Sequence, residues 1–397
     1  MTDLPEDFAE EGPETSPRTP KAPMSDREIE AQFQRGRLRV IQEKNDFFLP
    51  HVVDFIEGRQ WGNLRPEYQR RLRWDQRKKS KLIESFVMNV PVPPIFLYET
   101  TLGRFEVMDG QQRLNTIVEF LQNEFELRGL EIWPQLNGRR FSELPSMIKK
   151  GLERAKISAI ILISDAGEEG DTSVDLRAQV FDRINSGGEQ LNAQELRNSL
   201  YHGPFNDLLV DLAAWKRFTD KWGIPSRQEH VDADGKESDK LKSNTLYKRM
   251  GDTEIVLRFF AFRNPKYVRG SVKAILTETM KRLRGIDDEK KDAMTATYKK
   301  VFRASIDVFG DNAFKIQGSD GKWRLSRPLY DAQMIAIYRN RTHIEEAKAA
   351  ASKIRKRVAE ATRPESENYA LVVGRANTAD AIKKRAALFT KIVRDEI

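Results

Sequence analysis

The chain has no cysteine, so neither a disulfide nor a thiolate metal site is open to it. Histidine is scarce as well. His51, His202, His230 and His343 are the whole complement, and no two of them stand at a metal-ligand spacing. Hydrophobic runs are short: none approaches the ~20 residues that a membrane-spanning helix needs, and no secretory signal pattern opens the sequence. These absences point away from a secreted, membrane or zinc-dependent protein and towards the cytoplasm of a bacterium, or of a cell infected by a virus that carries the gene.

What is present is length, positive charge and a few dense motifs. At 397 residues with 39% hydrophobic content, the chain has room for two or three domains with real cores. Its formal net charge is +8, but the charge is unevenly spread. Residues 1–30 hold nine acidic side chains against three basic ones, which leaves about +14 over residues 31–397. A basic body of this kind suits a nucleic-acid or nucleotide partner. The opening segment also carries Pro5, Pro13, Pro17, Pro20 and Pro23 with little apolar content, so residues 1–35 are expected to be a disordered acidic tail. Two roles stay open for it: a solubilising tail, or a cover over a DNA-binding face, whose removal would tighten DNA binding.

The most informative stretch is 104–122. Phe105 and Val107 suit a strand, Asp109-Gly110 supplies a tight turn, and Leu114, Ile117, Val118 and Leu121 fall at the i, i+3, i+4, i+7 spacing of an amphipathic helix. The helix is therefore expected to begin at Gln111. A helix start presents backbone N–H groups and the positive end of the helix dipole, which together favour an anion such as phosphate. Gln111, Gln112 and Arg113 add side-chain donors there; Arg113 suits a two-pronged grip on phosphate, and Asp109 suits Mg²⁺ shared with phosphate oxygens. A merely solvated strand–turn–helix has the same local pattern.

Upstream, Arg65, Arg70, Arg71, Arg73, Arg77, Lys78, Lys79 and Lys81 lie within seventeen residues, opposed only by Glu67 and Asp75. Such a cluster neutralises phosphates of a nucleotide or of DNA, or forms a solvated helix face. Tyr68 and Trp74, interleaved with the arginines, suit base stacking or a core. Pro91, Pro93 and Pro94 end a helix bearing Leu82, Ile83, Phe86 and Val87 and deliver the chain to a strand at Ile95–Tyr98, a structural role only. Farther on, Leu176, Val180, Phe181 and Ile184 make one apolar helix face that Gly187-Gly188 stops, and Asn192 with Glu195 forms a capping box for the next helix.

Asp109-Gly110-Gln111-Gln112-Arg113 resembles the DGQQR signature of the GmrSD-type domain family, the N-terminal part of modification-dependent restriction and phage-defence proteins, which is related in fold to the ParB/sulfiredoxin group. Three further blocks resemble the family in the same order: Arg65-Pro66-Glu67-Tyr68-Gln69-Arg70 with Trp74; Lys81–Ser85 followed by Val90–Ile95; and Phe181–Gly188 followed by Leu191-Asn192 and Glu195–Asn198. The resemblance covers about residues 45–215. It implies an α+β chain with a ParB/sulfiredoxin-like nucleotide-binding domain over 36–218. Gln69 and Arg70 are expected to close the site from the other side, with Tyr68 among the nucleotide-binding residues, and the resemblance implies that the turn at Asn185 faces the nucleotide; Asn185 as a left-handed helix terminator is the structural alternative. Larger relatives append a His-Asn-His-type nuclease, for which this chain has no histidine spacing.

Beyond that region, 219–250 is polar and reads as a loop or linker. Residues 251–397 read as an α-helical domain, from Ile255, Val256, Phe259 and Phe260, from Tyr298, Val301, Phe302 and Ile306, and from a long Ala- and Lys-rich segment at 343–361. Basic residues near the end, Lys383, Lys384 and Arg385 above all, suit either a solvated helix face or DNA backbone contact, as Arg71, Arg73, Lys78 and Lys79 do earlier.

The expectation is a nucleoside-triphosphate-binding and hydrolysing, DNA-associated protein of the restriction or phage-defence type. Asp109 would hold Mg²⁺ or orient water, Gly110, Gln111 and Gln112 would position phosphates, and Arg113 would stabilise charge on the transferred group. A partner nuclease or defence protein and self-association are both compatible with it. Two rivals stay open: a ParB-like nuclease, for which Glu84, Asp182 and Glu195 would have to converge on Asp109, and a non-catalytic nucleotide-gated clamp.

Overall fold

The computed structural model describes residues 25–36, 40–58, 74–164, 192–232, 237–317, 321–363, 366–373 and 377–397. Two units are distinguished, one ending at Arg39 and the other running from Val40 to Ile397. In the first, α1 (Asp26–Gly36) is a helix where a disordered tail was expected. Its start explains the difference: Ser25 Oγ accepts from the Glu28 N–H while the Glu28 carboxylate accepts from the Ser25 N–H, a reciprocal cap.

The second unit begins with an α/β layer, and the expected α+β class holds. Four strands, β1 (Val40–Phe48), β2 (Ile95–Thr101), β3 (Arg104–Asp109) and β4 (Lys156–Ser164), form a sheet in the order β1-β4-β2-β3. The β1–β4 and β2–β3 pairs are antiparallel; β2 and β4 are parallel, with Ile95 opposite Ala159 and Tyr98 opposite Leu162. Alternation does the rest. Ile95 and Leu97 of β2 and Ile157, Ala159 and Ile161 of β4 face one way and are buried.

That face carries α2 (Leu49–Glu57), α3 (Gln76–Val87), α4 (Gln111–Leu121) and α5 (Ser146–Arg154), whose Val52, Leu82, Ile83, Phe86, Leu114, Ile117, Phe120 and Leu152 complete one core with the strands. The stripe expected for the DGQQR helix is the face it buries. The helix expected before the proline turn is α3, ended at Val87 as the prolines require. Asp75 caps α3 by accepting from the Lys78 N–H, at 2.8 Å.

A helical layer follows. It starts with α6 (Ala193–Leu200) and α7 (Pro204–Ala213), inside the span expected for the nucleotide-binding domain. The Asn192–Glu195 capping box forms as expected: Asn192 Oδ1 accepts from the Gln194 and Glu195 N–H groups, and Glu195 Oε2 accepts from the Asn192 N–H. Residues 219–250, expected to be a polar loop, instead hold the end of α8 (Lys216–Trp222) and three short helices, α9 (Arg227–His230), α10 (Asp239–Ser243) and α11 (Thr245–Lys248). Ser238 and Asn244 cap the last two, and Leu241, Leu246, Tyr247 and Met250 are buried beneath the charged residues that made the stretch look like a linker.

The remainder is helical as expected: α12 (Gly251–Phe262), α13 (Val272–Leu283), α14 (Asp288–Phe309), α15 (Arg327–Arg339), α16 (Ile344–Ala349), α17 (Ala351–Ala361), α18 (Tyr369–Val373) and α19 (Ala379–Arg394). The Ala- and Lys-rich segment at 343–361 is two helices that part at Ala350. A small hairpin, β5 (Lys315–Gln317) with β6 (Trp323–Leu325), adds strand where only helix was expected. No helix among the described residues is long and apolar enough to cross a membrane.

The helical core is crossed by a charged network. Arg258 donates from Nη2 to Asp331 Oδ2 at 2.7 Å and from Nε to Oδ1 at 3.1 Å, with both side chains buried. Glu254 lies between Arg197 and Arg327, 3.4 Å from each. Burial alone would raise the Glu254 pKa, but Arg327, Arg197 and Arg258 outweigh it and hold the carboxyl below its ordinary value.

Candidate phosphate-binding turn

The site is built where β3 passes through Asp109 and Gly110 into α4. Gly110 has φ +94°, the left-handed region that side chains disfavour, and it stands as the residue before the helix with no side-chain cap. A Cβ there would fall 2.4 Å from Ile95 Cγ2 and 3.1 Å from Arg113 Nη2. Glycine is therefore demanded twice, by the backbone turn and by the buried β2 side chain beneath it. The turn is pinned against the sheet rather than flexible. The first helical bond within α4 is Leu114 N–H to the Gly110 carbonyl, so the N–H groups ahead of Leu114 lie at the open end of the helix.

Arg113 does not point away as a free cation. Its Nη2 donates to Asp109 Oδ2 at 2.6 Å and to the Pro94 carbonyl at 3.2 Å. Asp109 keeps about a third of its surface exposed, while Arg113 is largely buried. The Arg113 Nε is buried and has no hydrogen-bond partner among the described residues. Asp109 thus occupies the anion position beside the helix start, paired with the arginine expected to grip phosphate. The proline turn, read from sequence as structural only, supplies the carbonyl that orients that arginine.

Gln112 is held too. Its Oε1 accepts from the Trp74 N–H at 3.1 Å. Tyr68, Gln69, Arg70, Arg71, Arg73, Asn185 and Asp182 lie outside the described residues. The Gln112–Trp74 bond ties Trp74 to the first turn of α4.

The other expected site residues separate. Lys78 is exposed, its Nζ 5.9 Å from the Trp74 ring. Lys79 faces inward: it pairs with Glu119 of α4 and lies 5.5 Å over the Phe125 ring. Lys384 is exposed and pairs with Asp380 at 2.8 Å, and Lys383 is half-buried. Arg385 is 1% exposed and donates to the Leu371 carbonyl, so it belongs to the helical core and not to a DNA-facing surface. Of the acids that a nuclease would gather, the two described ones are engaged elsewhere. Glu84 Oε1 accepts from the Ile132 and Trp133 N–H groups, and Glu195 caps α6.

The chain's family resemblance can be set against this geometry. Residues 52–202 match the family model described as GmrSD restriction endonuclease, N-terminal domain. The four motif blocks all fall inside that span, and so does the β3–α4 turn. No curated protein and no solved structure matches the chain. The matched GmrSD-type domain runs from α2 through α6, so its last helix already lies in the helical layer, where Arg197 meets Glu254.

The described residues contain no group of three or more His, Cys, Asp or Glu able to hold a metal by themselves. A cage for a tightly held divalent ion is not built from them. A lone carboxylate such as Asp109 would suit only the other mode, a Mg²⁺ that keeps its waters and is shared with the phosphates of a nucleotide.

Proposed function

We propose that this is a nucleoside-triphosphate-binding and hydrolysing, DNA-associated protein of the restriction or phage-defence type, with its phosphates received at the β3–α4 turn. The observation that carries the reading is the left-handed Gly110 opening α4 beside the Arg113–Asp109 pair. Backbone N–H groups, the helix dipole and a guanidinium converge on the anion place that Asp109 fills in the free protein. The restriction-type family of residues 52–202 supports the DNA association.

The mechanism turns on an exchange. Arg113 gives up Asp109 for a phosphate oxygen and keeps its hold on the Pro94 carbonyl, so its fork stays aimed. Asp109, released, would hold Mg²⁺ or orient the attacking water. A Mg²⁺ held by Asp109 and the phosphates would supply charge neutralisation; the α4 N-terminus and Arg113 stabilise the charge that develops on the transferred group. Gln112 is held by the Trp74 N–H beside the same turn.

The same exchange favours a second reading, in which nucleotide binding alone breaks the ion pair and shifts conformation without turnover. Phosphate release from the four ribonucleoside triphosphates with Mg²⁺, with and without DNA, decides between them. Wild type is expected to turn over at least one, and Arg113→Ala to lose activity by roughly 100-fold or more. Binding without turnover selects the gated reading. Nucleotide-independent nicking of supercoiled plasmid would overturn both in favour of a nuclease.

A further inference from the structure

The helical layer carries an unneutralised basic and aromatic surface remote in sequence from the DGQQR turn. Arg263 follows the end of α12, Lys266 and Tyr267 stand in the turn after it, Arg282 is in the last turn of α13, and Tyr338 and Arg341 stand at the end of α15 and just beyond. Ring contacts bring them together. The Arg282 guanidinium lies 4.0 Å and the Lys266 ammonium 5.9 Å from the Tyr267 ring; Arg341 and Arg263 lie 4.7 and 5.8 Å from the Tyr338 ring. Arg282 and Arg341 each lie close enough to Arg263 to repel it, which, after burial, helps lower the Arg263 pKa.

No ion pair holds Arg263, Lys266, Arg282 or Arg341 among the described residues. Exposed Lys216, Lys348, Arg357 and Lys384, by contrast, each sit on a carboxylate. Stacking on the tyrosines, with Arg341 Nη1 also donating to the Tyr338 carbonyl at 3.1 Å, restricts these side chains before any ligand arrives, so less entropy is lost on binding. Tyr267 remains 42% exposed, so a face or edge of its ring stays open to a planar ligand.

We infer that this surface, formed by Arg263, Lys266, Tyr267, Arg282, Tyr338 and Arg341, binds the phosphodiester backbone of DNA, with Tyr267 as a platform for an unpaired base. Charge complementarity selects the partner: four neighbouring cations that no carboxylate pairs suit a run of spaced negative charges, and the interleaved aromatics suit bases between those charges. The surface lies outside residues 52–202, so it extends the reading above and does not depend on the chemistry at Asp109 and Arg113.

The test is anisotropy of labelled duplex and single-stranded oligonucleotides with the full-length protein at several salt concentrations, without nucleotide. The doubly reversed variant Arg282→Glu/Arg341→Glu is compared with the charge-matched control Lys240→Glu/Lys242→Glu, which alters exposed lysines of α10. The first is expected to bind at least 10-fold more weakly and to flatten the log–log salt slope by about 2, while the control stays within about 2-fold of wild type. Tyr267→Ala is expected to weaken the single strand by about 5-fold or more and the duplex less. Equal losses in the two charge variants would reduce the effect to net charge and overturn the site, and no loss in either would do the same. Poly-glutamate bound as tightly as DNA, and lost in the same variant, would replace DNA with an acidic protein. All positions changed are exposed, and unchanged melting temperatures verify folding.

Discussion

Asp331→Ala is expected to destabilise the helical layer by about 3–5 kcal/mol, the usual cost of stranding a buried charge. The carboxylate meets Arg258 through two nitrogens, and Arg258 is 0% exposed, so its guanidinium has no water to turn to when the partner is removed. Arg385 lies close by, itself buried, and adds a second cation that Asp331 helps to neutralise. The loss should appear as a fall of the urea midpoint and of the melting temperature. Replacing both partners with apolar residues, Arg258→Met with Asp331→Leu, should recover most of it, since a well-packed apolar pair avoids the desolvation cost. A single variant as stable as wild type would mean that the pair is not buried as described.

The same network gives the stability a pH dependence. Glu254 has its carboxyl held below the ordinary value by Arg327 and Arg197, so its contribution is fully present above the unfolded-chain value of about 4.5. It is lost as pH falls through the lower folded value. Glu254→Gln should therefore remove part of the acid-side slope of stability against pH and leave the neutral side unsloped.

The second large effect is expected at Gly110. Placing alanine at φ +94° costs about 1–2 kcal/mol from the backbone alone. A Cβ 2.4 Å from Ile95 Cγ2, in a fully buried part of the sheet, adds overpacking of about 1–3 kcal/mol. Gly138 is the matched control, because it has φ +81° and nothing within 4 Å of a built Cβ. Gly138→Ala should show the backbone cost only. Denaturant midpoints of the two variants measure the difference; equal losses would show that the close approach to Ile95 is unimportant. Gly110→Ala should also weaken nucleotide binding, because relief of the clash moves the first turn of α4 away from β2.

The α/β layer was largely legible in the sequence because its signals are local. The stripe of Leu114, Ile117 and Val118, the Asp-Gly turn ahead of it, the prolines after α3 and the Asn192–Glu195 box each state their structure within a few residues. Burial of cations was misread, although the signal was there. Arg385 falls on the stripe of Ile382, Ala386 and Phe389, and Lys79 stands four and seven residues before Ile83 and Phe86, so helical phase places both inward. A run of lysine and arginine looks the same in composition whichever member faces the core.

The Arg113–Asp109 pair was within reach by its i, i+4 spacing, yet the two were read as independent donors and acceptors for a ligand. The Pro94 carbonyl and the Ile95 side chain under Gly110 were not accessible, because they depend on how β2 lies beside β3. Nor was the basic surface of the helical layer, whose residues come from three separate stretches between 263 and 341 and meet only through tertiary packing. Residues 219–250 misled through composition: Trp222, Ile224, Leu241, Leu246, Tyr247 and Met250 are buried among charges that stay outside.

The central claim is that the β3–α4 turn receives the phosphates of a nucleotide by exchanging Asp109 for them at Arg113. The most direct measurement is an equilibrium titration of wild type and Arg113→Ala with nucleoside triphosphate analogues that cannot be hydrolysed, each in the presence of Mg²⁺. At least one analogue should bind wild type and lose roughly 10- to 150-fold in affinity in the variant, the worth of one charge-assisted hydrogen-bonding group. No binding of any analogue to wild type, or the same affinity in a folded Arg113→Ala protein, would contradict the account.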